Sequence, residues 1–304
     1  MKKIIVAGSM NMDMVVKTSH IPRPGETVLG GSFFMNPGGK GANQAIAVAR
    51  LGGDVAFIGK MGDDIFGKQS AQLFEEEGVN TQGIVSDAAL PSGIALITVD
   101  QKGENSIVVA PGANANLKAT DVEKALTYYP DAALLLIQLE IPMDTVAYTA
   151  KRAKEKGMKI ILNPAPANEL PKEVFELMDI ITPNESEAEM LSGIRIADLD
   201  SAGQAARKIQ AKGPKQVIIT MGKQGAAVLE DDAFFHVPAP SVETIDTTAA
   251  GDVFNGALAV AIAEGKPLRE ATNFACRAAA IAVTRLGAQS SIPYRNEVLM
   301  SIIS

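Results

Sequence analysis

From residue 131 onward the chain alternates short apolar runs with polar and amphipathic stretches, a rhythm that a layered α/β architecture accommodates best. Residues 132–139, 159–162, 179–182 and 215–220 are rich in Leu, Ile and Val, as expected of interior strands covered on both faces. A helical pattern follows the first of them at 145–156. The four runs end, in order, at Glu140, at Asn163-Pro164-Ala165-Pro166-Ala167, at Pro183-Asn184-Glu185-Ser186-Glu187 and at Met221-Gly222-Lys223-Gln224-Gly225. Open parallel sheets keep their ligand sites at the C-terminal ends of strands, so these loops are expected to meet. Glu140 and the Asn184/Glu187 pair offer oxygen acceptors suited to hydroxyls or to hydrated Mg²⁺. Asn184 and Glu187 also have the spacing of a helix N-cap and its N3 partner, and both readings can hold together.

The first third breaks this rhythm. Residues 3–8 form a β-branched run that empties into Ser9-Met10-Asn11-Met12-Asp13, and 14–17 looks like a second strand. Asn11 and Asp13 suit a polyol, because a carboxylate accepts from neighbouring hydroxyls and an amide both donates and accepts; they suit an ordinary turn as well. After a loop at 21–26, residues 27–35 read as a strand interrupted by Gly30-Gly31. Pro37-Gly38-Gly39-Lys40-Gly41-Ala42-Asn43-Gln44 then leads into a helical pattern at 45–51. Such a turn could let an anion approach its amides, or could simply join strand to helix. It is not a Walker A loop, since Gly41 follows Lys40, and it lacks the G-x-G-x-x-G of dinucleotide sites, which disfavours a dehydrogenase. A strand at 54–59 and a helix at 64–78 precede a hairpin of 93–100 and 105–110. The pieces that break the βα order predict a small separate sheet that could cover a site and exclude water.

Asp246-Thr247-Thr248-Ala249-Ala250-Gly251-Asp252-Val253-Phe254-Asn255-Gly256 joins small residues to an amphipathic run. Phe254, Ala257, Leu258, Ala261 and Ile262 recur at helical spacing and predict a helix starting near Ala250. Its first amides lack partners within the helix, and Ala249, Ala250 and Gly251 leave room for an anion. Asp252 would stand beside that anion and could take a proton from a hydroxyl. The same stretch also fits an N-cap, worth about 1 kcal/mol. A second helix, rich in alanine, is expected at 268–285, with Cys276 as a small core residue.

Composition narrows the partners. The chain has 304 residues, 47% of them hydrophobic, and a single cysteine, so no internal disulfide can form. No apolar run reaches the roughly 18 residues of a membrane span, and the run after Met1-Lys2-Lys3 is too short for a signal peptide. A net charge of −7 without a basic block argues against nucleic acid but not against a nucleotide with Mg²⁺. His20 and His236 have no partners at ligand spacing.

Asn11-Met12-Asp13, Gly38-Gly39-Lys40-Gly41-Ala42-Asn43 and the 246–252 stretch together resemble the ribokinase family of carbohydrate kinases, end to end and in the family's order. The resemblance implies one α/β domain over 1–304, a three-layer α-β-α sandwich with a mostly parallel central sheet. It also implies a β lid at about 12–18, 27–37, 93–100 and 105–111 that clasps a homodimer. It implies a cytoplasmic enzyme that transfers the γ-phosphoryl group of ATP to the 5-hydroxyl of D-ribose. Asn11, Met12, Asp13, Gly39, Lys40, Gly41, Ala42, Asn43 and Glu140 would hold the sugar. Asp252 would be the base, and Ala249, Ala250 and Gly251 the anion hole. Asn184, Thr220, Met221, Gly222, Lys223, Gln224 and Gly225, with Gly251 and Asp252, would line the nucleotide site. Asn184 and Glu187 would position Mg²⁺ through water. A K⁺ or other monovalent cation would bind at Asp246, Thr248, Ala282, Arg285, Gly287 and Ser291. Ala249 stands where many members have Gly, and Met12 could crowd the pentose and favour a deoxy sugar. A kinase for 2-deoxyribose, a ketose or a nucleoside, or a silent sugar sensor, are the other readings.

Overall fold

The computed structural model describes residues 2–300; Met1 and residues 301–304, at the ends of the range read as one domain, lie outside them. Its strands are β1 (Lys3–Ala7), β2 (Asn11–Lys17), β3 (Phe33–Gly38), β4 (Val55–Gly62), β5 (Asn80–Asp87), β6 (Gly93–Val99) and β7 (Asn105–Ala110). They continue with β8 (Ala132–Ile137), β9 (Lys159–Leu162), β10 (Ile180–Ile181), β11 (Gln216–Thr220), β12 (Ala226–Glu230) and β13 (Ala233–Val237). Nine strands form one sheet in the order β13-β12-β11-β10-β9-β8-β1-β4-β5, parallel throughout except at β12 and β13.

Alternate residues of the central strands divide between two apolar layers, as the two-residue repeat of a pleated strand requires. Ile4, Val6, Phe57, Leu134, Leu136 and Ile218 face one layer. There they pack on α1 (Lys40–Arg50), α2 (Ile65–Glu76), α8 (Ala250–Ala263), α9 (Leu268–Ala282) and α10 (Arg295–Met300). Ile5, Ala7, Ile58, Leu135, Ile137 and Ile219 face the other layer. That layer holds α3 (Ala119–Leu126), α4 (Met143–Glu155), α5 (Lys172–Leu177), α6 (Glu185–Ser192) and α7 (Leu199–Gln210). Continuous apolar strands need cover on both faces, and helices supply it. The architecture is therefore the α/β sandwich with a mostly parallel sheet expected from the sequence.

The remaining strands build a second sheet in the order β3-β2-β6-β7. Its central pair, β2 and β6, is parallel, so neither strand comes from a simple hairpin with the other. The strand expected at 27–35 starts only at Phe33. Before it, the chain loops over the end of β2, with Gly31 N–H donating to Lys17 O at 2.8 Å. The helix expected from 45 begins earlier, at Lys40, and the one expected at 268–285 stops at Ala282. Strands β5, β12 and β13 were not anticipated. The β12–β13 hairpin is antiparallel and ends the βα alternation after β11.

Candidate active site

Strand β1 is where the sheet changes direction: the chain moves to β4 and β5 on one side, then returns to β8 on the other. Loops leaving β1 and β8 therefore diverge above a crevice, the usual ligand position of an open α/β sheet. Helix α1 starts over this crevice because two glycines let it in. A Cβ on Gly41 would lie 2.6 Å from the Ser9 nitrogen and 2.8 Å from the Gly8 Cα. Its first amides are then taken up locally. Lys40 N–H donates to Glu140 Oε2 at 3.1 Å, Gly41 N–H to Ser9 Oγ at 3.4 Å and Ala42 N–H to Ser9 O at 2.9 Å. Ser9 Oγ itself donates to Glu140 Oε2 at 2.6 Å. The amides of Lys40, Gly41 and Ala42 are thus taken within the protein and are not open to an anion. What the turn presents is the Lys40 side chain.

The start of α8 is the opposite case. Ala249, with φ of 61°, is the N-cap and supplies no side-chain hydrogen bond. Alanine in this left-handed conformation costs about 1 kcal/mol relative to glycine, yet its amide is as exposed as glycine's would be. Ala250 N–H reaches Thr247 O at 3.2 Å and Val253 N–H reaches Ala249 O at 2.9 Å. Among the described residues, no acceptor takes the amides of Gly251 and Asp252. A Cβ on Gly251 would meet nothing within 4 Å, so the approach is open. Asp252 is not the cap. It lies within the first turn, and its carboxylate turns toward α1, where Asn43 Nδ2 donates to Oδ2 at 2.9 Å and Gln44 Nε2 to Oδ1 at 3.0 Å. Asn255 Nδ2 donates back to Gly251 O at 2.8 Å and accepts from Thr182 at the end of β10, which anchors the turn to the sheet. Burial raises the Asp252 carboxyl above its ordinary range, against the lowering effect of Lys40, Asn43 and Gln44.

Asn11 and Asp13 belong to β2 rather than to a turn, and strand alternation puts them on one face with Met12, 2% exposed, on the other. Burial, reinforced by the charges of Glu140 and Asp252, pushes the Asp13 carboxyl up to about 7. Burial alone would lower the Lys40 ammonium; Asp252, Glu140, Glu187 and Asp13 around it outweigh that and raise it. Asp13, Lys40, Glu140, Asn43 and Asp252, drawn from chain-distant segments, therefore share one crevice.

On the far side, Asn184 pairs with Thr220 as a bridge that extends β10 and β11, and Thr220 N–H donates to Pro183 O at 2.9 Å. The reciprocal cap is present: Asn184 Oδ1 accepts from Glu187 N–H and Glu187 Oε2 from Asn184 N–H, each at 2.9 Å. Among the described residues Glu187 Oε1 takes no donor, and burial raises this carboxyl. Met221 is buried while Gly222, Lys223 and Gln224 form an exposed rim, closed where Met221 N–H meets Gly225 O at 2.8 Å. Asp246 Oδ1 accepts from Thr248 N–H at 2.9 Å, and Oδ2 from Gly287 N–H at 2.9 Å. Ala282 and Arg285 pair through backbone, Ser291 Oγ donates to Ala288 O, and the Arg285 guanidinium is paired with Glu297. Among the described residues no cluster of three or more His, Cys, Asp or Glu could hold a metal. Burial pushes the Cys276 thiol up to about 12, so it stays an unreactive core residue.

Sequence reasoning passed over five residues of this site. Ser9 and Asn163 were read only as loop, and Gln44 as the end of the glycine turn. Asn114 and Gln138 gave no local signal. Asn114 Nδ2 donates to Asn11 Oδ1 and to Met10 O, both at 2.9 Å, while its Oδ1 accepts from Met10 N–H. Asn11 is thereby left with its N–H₂ facing the crevice.

Residues 1–295 match the profile described as pfkB family carbohydrate kinase. The chain is 45% identical over 298 residues to a ribokinase of Haemophilus influenzae, covering 98% of this chain and 97% of that one. It is 37% identical over 291 residues to a deoxyribokinase of Salmonella typhi, covering 95% of each. It also superposes with a TM-score of 0.89 on an Arabidopsis thaliana ribokinase complexed with ribose and ATP, at 33% identity, covering 98% of this chain and 97% of that one.

Proposed function

Because the chain belongs to the pfkB family of carbohydrate kinases, and so is an ATP-dependent carbohydrate kinase, we propose that it transfers the γ-phosphoryl group of ATP to the 5-hydroxyl of D-ribose. The observation that supports this most is the pairing of a buried, oriented carboxylate, Asp252, with open amides at the start of the same helix. Asp252 would accept the hydroxyl proton while the open Gly251 amide, with that of Ala249 and with that of Ala250 once it gives up Thr247 O, faces the charge that builds on the phosphoryl oxygens. A carboxylate cannot ionise an alcohol outright, so the proton moves late, as the oxygen bonds to phosphorus.

Asp13 would accept from two neighbouring hydroxyls, and Asn11, its oxygen held by Asn114, would donate to a sugar oxygen. Gly39, Gly41 and Ala42 would shape the floor under the sugar, with Asn43 and Glu140 at its side. Lys40, the ammonium amid these carboxylates, would face the transferred phosphoryl group. Thr220, the 221–225 turn and Asn184 would hold the nucleotide. Glu187 fits a hydrated Mg²⁺, because its cap uses only Oε2 and leaves Oε1 without a protein donor among the described residues. When bound, Mg²⁺ would neutralise charge across the phosphates. Asp246, Thr248 and Gly287, already drawn together, offer the hard oxygen donors a K⁺ ion needs, with Ala282, Arg285 and Ser291 on the adjoining turns.

The small sheet would act as lid. Its outer surface exposes Phe33, Met35, Leu96 and Val108, an apolar face that a second copy would cover in a homodimer. Light scattering should give twice the chain mass, and charged substitutions at Val108 and Leu96 should halve it. A monomeric wild-type protein would remove the clasp.

Release of ADP across a panel of ribose, 2-deoxyribose, ketoses and nucleosides, with Mg²⁺ and with K⁺ or Na⁺, tests the assignment. Ribose with K⁺ is expected to give the highest kcat/KM. A preference for 2-deoxyribose would move the assignment to that sugar; sugar binding without ADP release would replace the kinase by a sensor. Met12 lies on the face of β2 opposite Asn11 and Asp13, so the crowding of the pentose expected of it is corrected.

A further inference from the structure

Two buried amides stand behind the base without any part in the reaction as described. Gln44 Nε2 lies 3.0 Å from Asp252 Oδ1 and 3.0 Å from Asn163 Oδ1. Gln44 Oε1 in turn accepts from Gln138 Nε2 at 2.6 Å. Gln44 and Gln138 are both fully buried, and Gln138 Oε1 has no hydrogen-bond partner. It abuts Gly8, where an added Cβ would lie 2.0 Å from it. A buried amide oxygen without a partner costs about 1–3 kcal/mol. An apolar residue at 138 would remove that oxygen but would leave the buried Gln44 Oε1 without its donor, so what the Gln138 amide supplies is the partner of Gln44. An amide can turn either end to a neighbour; with its oxygen occupied by Gln138, Gln44 has only N–H to offer Asp252.

We propose that Gln44, turned by Gln138, is a positioning residue that occupies Oδ1 of Asp252 with a donor and so holds the carboxylate aimed, and charged, for the sugar hydroxyl. The proposal rests on the reading of Asp252 as the base given above. Asp252 also faces Lys40 from α1, Glu140 after β8, Asp13 from β2 and Glu187 from α6. All four remain in place in the variants that follow, so a change in the base reports the amides.

The test is the pH profile of kcat/KM for ribose in the wild type, Gln44→Glu and Gln138→Glu, with ribose affinity measured by calorimetry. Gln44→Glu keeps the shape but puts a second carboxyl on Oδ1, and two carboxyls in contact must share a proton. Its acid limb should move up by about one pH unit or more, with ribose affinity within a few-fold of wild type. Gln138→Glu presents an acceptor to Gln44 Oε1, which turns the Gln44 amide round and faces its oxygen to Asp252. The limb should move the same way by a smaller amount, and this variant carries the test should Gln44→Glu not fold. Acid limbs coincident with wild type in the folded variants overturn the proposal. A wild type inactive on every sugar overturns the kinase assignment instead. In that event an NMR titration of the Asp252 carboxyl decides the amide relay alone, an unchanged titration in Gln44→Glu ending it.

Discussion

Asp252→Asn is expected to lower turnover by about 10²–10⁴-fold, the usual contribution of a general base, while ribose affinity stays within a few-fold. The size of the effect follows from the lack of a substitute. Asp13 and Glu140 share the crevice, but Glu140 Oε2 is held by Ser9 and the Lys40 amide, and Asp13 lies on the lid strand. Misfolding is not expected to mimic the loss. The new amide would place an N–H₂ against either Asn43 or Gln44, yet Asn43 Oδ1 is buried without a partner and can turn to accept it. Burial raises the Asp252 carboxyl, so its charge works against the fold, and the neutral variant should melt no lower than wild type. The same raised value sets the pH dependence: the base works when ionised, so kcat/KM falls as pH drops through a range above the ordinary carboxylate value of about 4. Steady-state kinetics, calorimetry and thermal melts decide it. Near-normal turnover in the variant would take Asp252 out of the chemistry.

Asp13→Asn should weaken ribose binding by about 10²-fold, since a hydrogen bond to a charged group is worth about 1.5–3 kcal/mol and the amide keeps only one acceptor. The same variant should be more stable than wild type. The Asp13 carboxyl stands at about 7 in the folded chain against 3.8 for the free group. A proton is therefore held more tightly by the folded state, and stability falls as pH rises from about 4 to about 7. The gain in melting temperature of the variant should be full at about pH 8 and vanish below about pH 4. Ribose affinity of the wild type should in turn fall as pH drops below about 7, when the acceptor becomes protonated. Equal melting curves at both ends of that range would show that burial, with Glu140 and Asp252 beside it, does not raise Asp13. Function here opposes stability, because burial removes water from the carboxylate that would read the sugar, and its neighbours Glu140 and Asp252 repel it.

Particular residues show where sequence reading stopped. Asp252 and Asp13 were legible because each sits in a short motif whose residues cooperate locally. Asn114 and Gln138 were not, since each acts on a segment far away in the chain: Asn114 on Asn11, Gln138 on Gln44. The hairpin β12–β13 was missed because 226–237 runs apolar into half-polar residues without a clear two-residue alternation. At 27–35 the opposite error arose, where β-forming residues beside Gly30-Gly31 loop over β2.

Taken by itself, the sequence determined the layers, because an unbroken apolar strand must be covered on both faces and a helical apolar stripe on one. It also determined where α8 begins, since small residues before a periodic run admit few other starts. The tertiary structure alone decided that β1 lies between β8 and β4, and hence where the crevice opens. It alone decided that the first amides of α1 are taken by Ser9 and Glu140 while those of Gly251 and Asp252 stay free. Both helices start with small residues and look alike as sequence. An amide's partner depends on which distant group arrives beside it, and that is a property of the assembled fold.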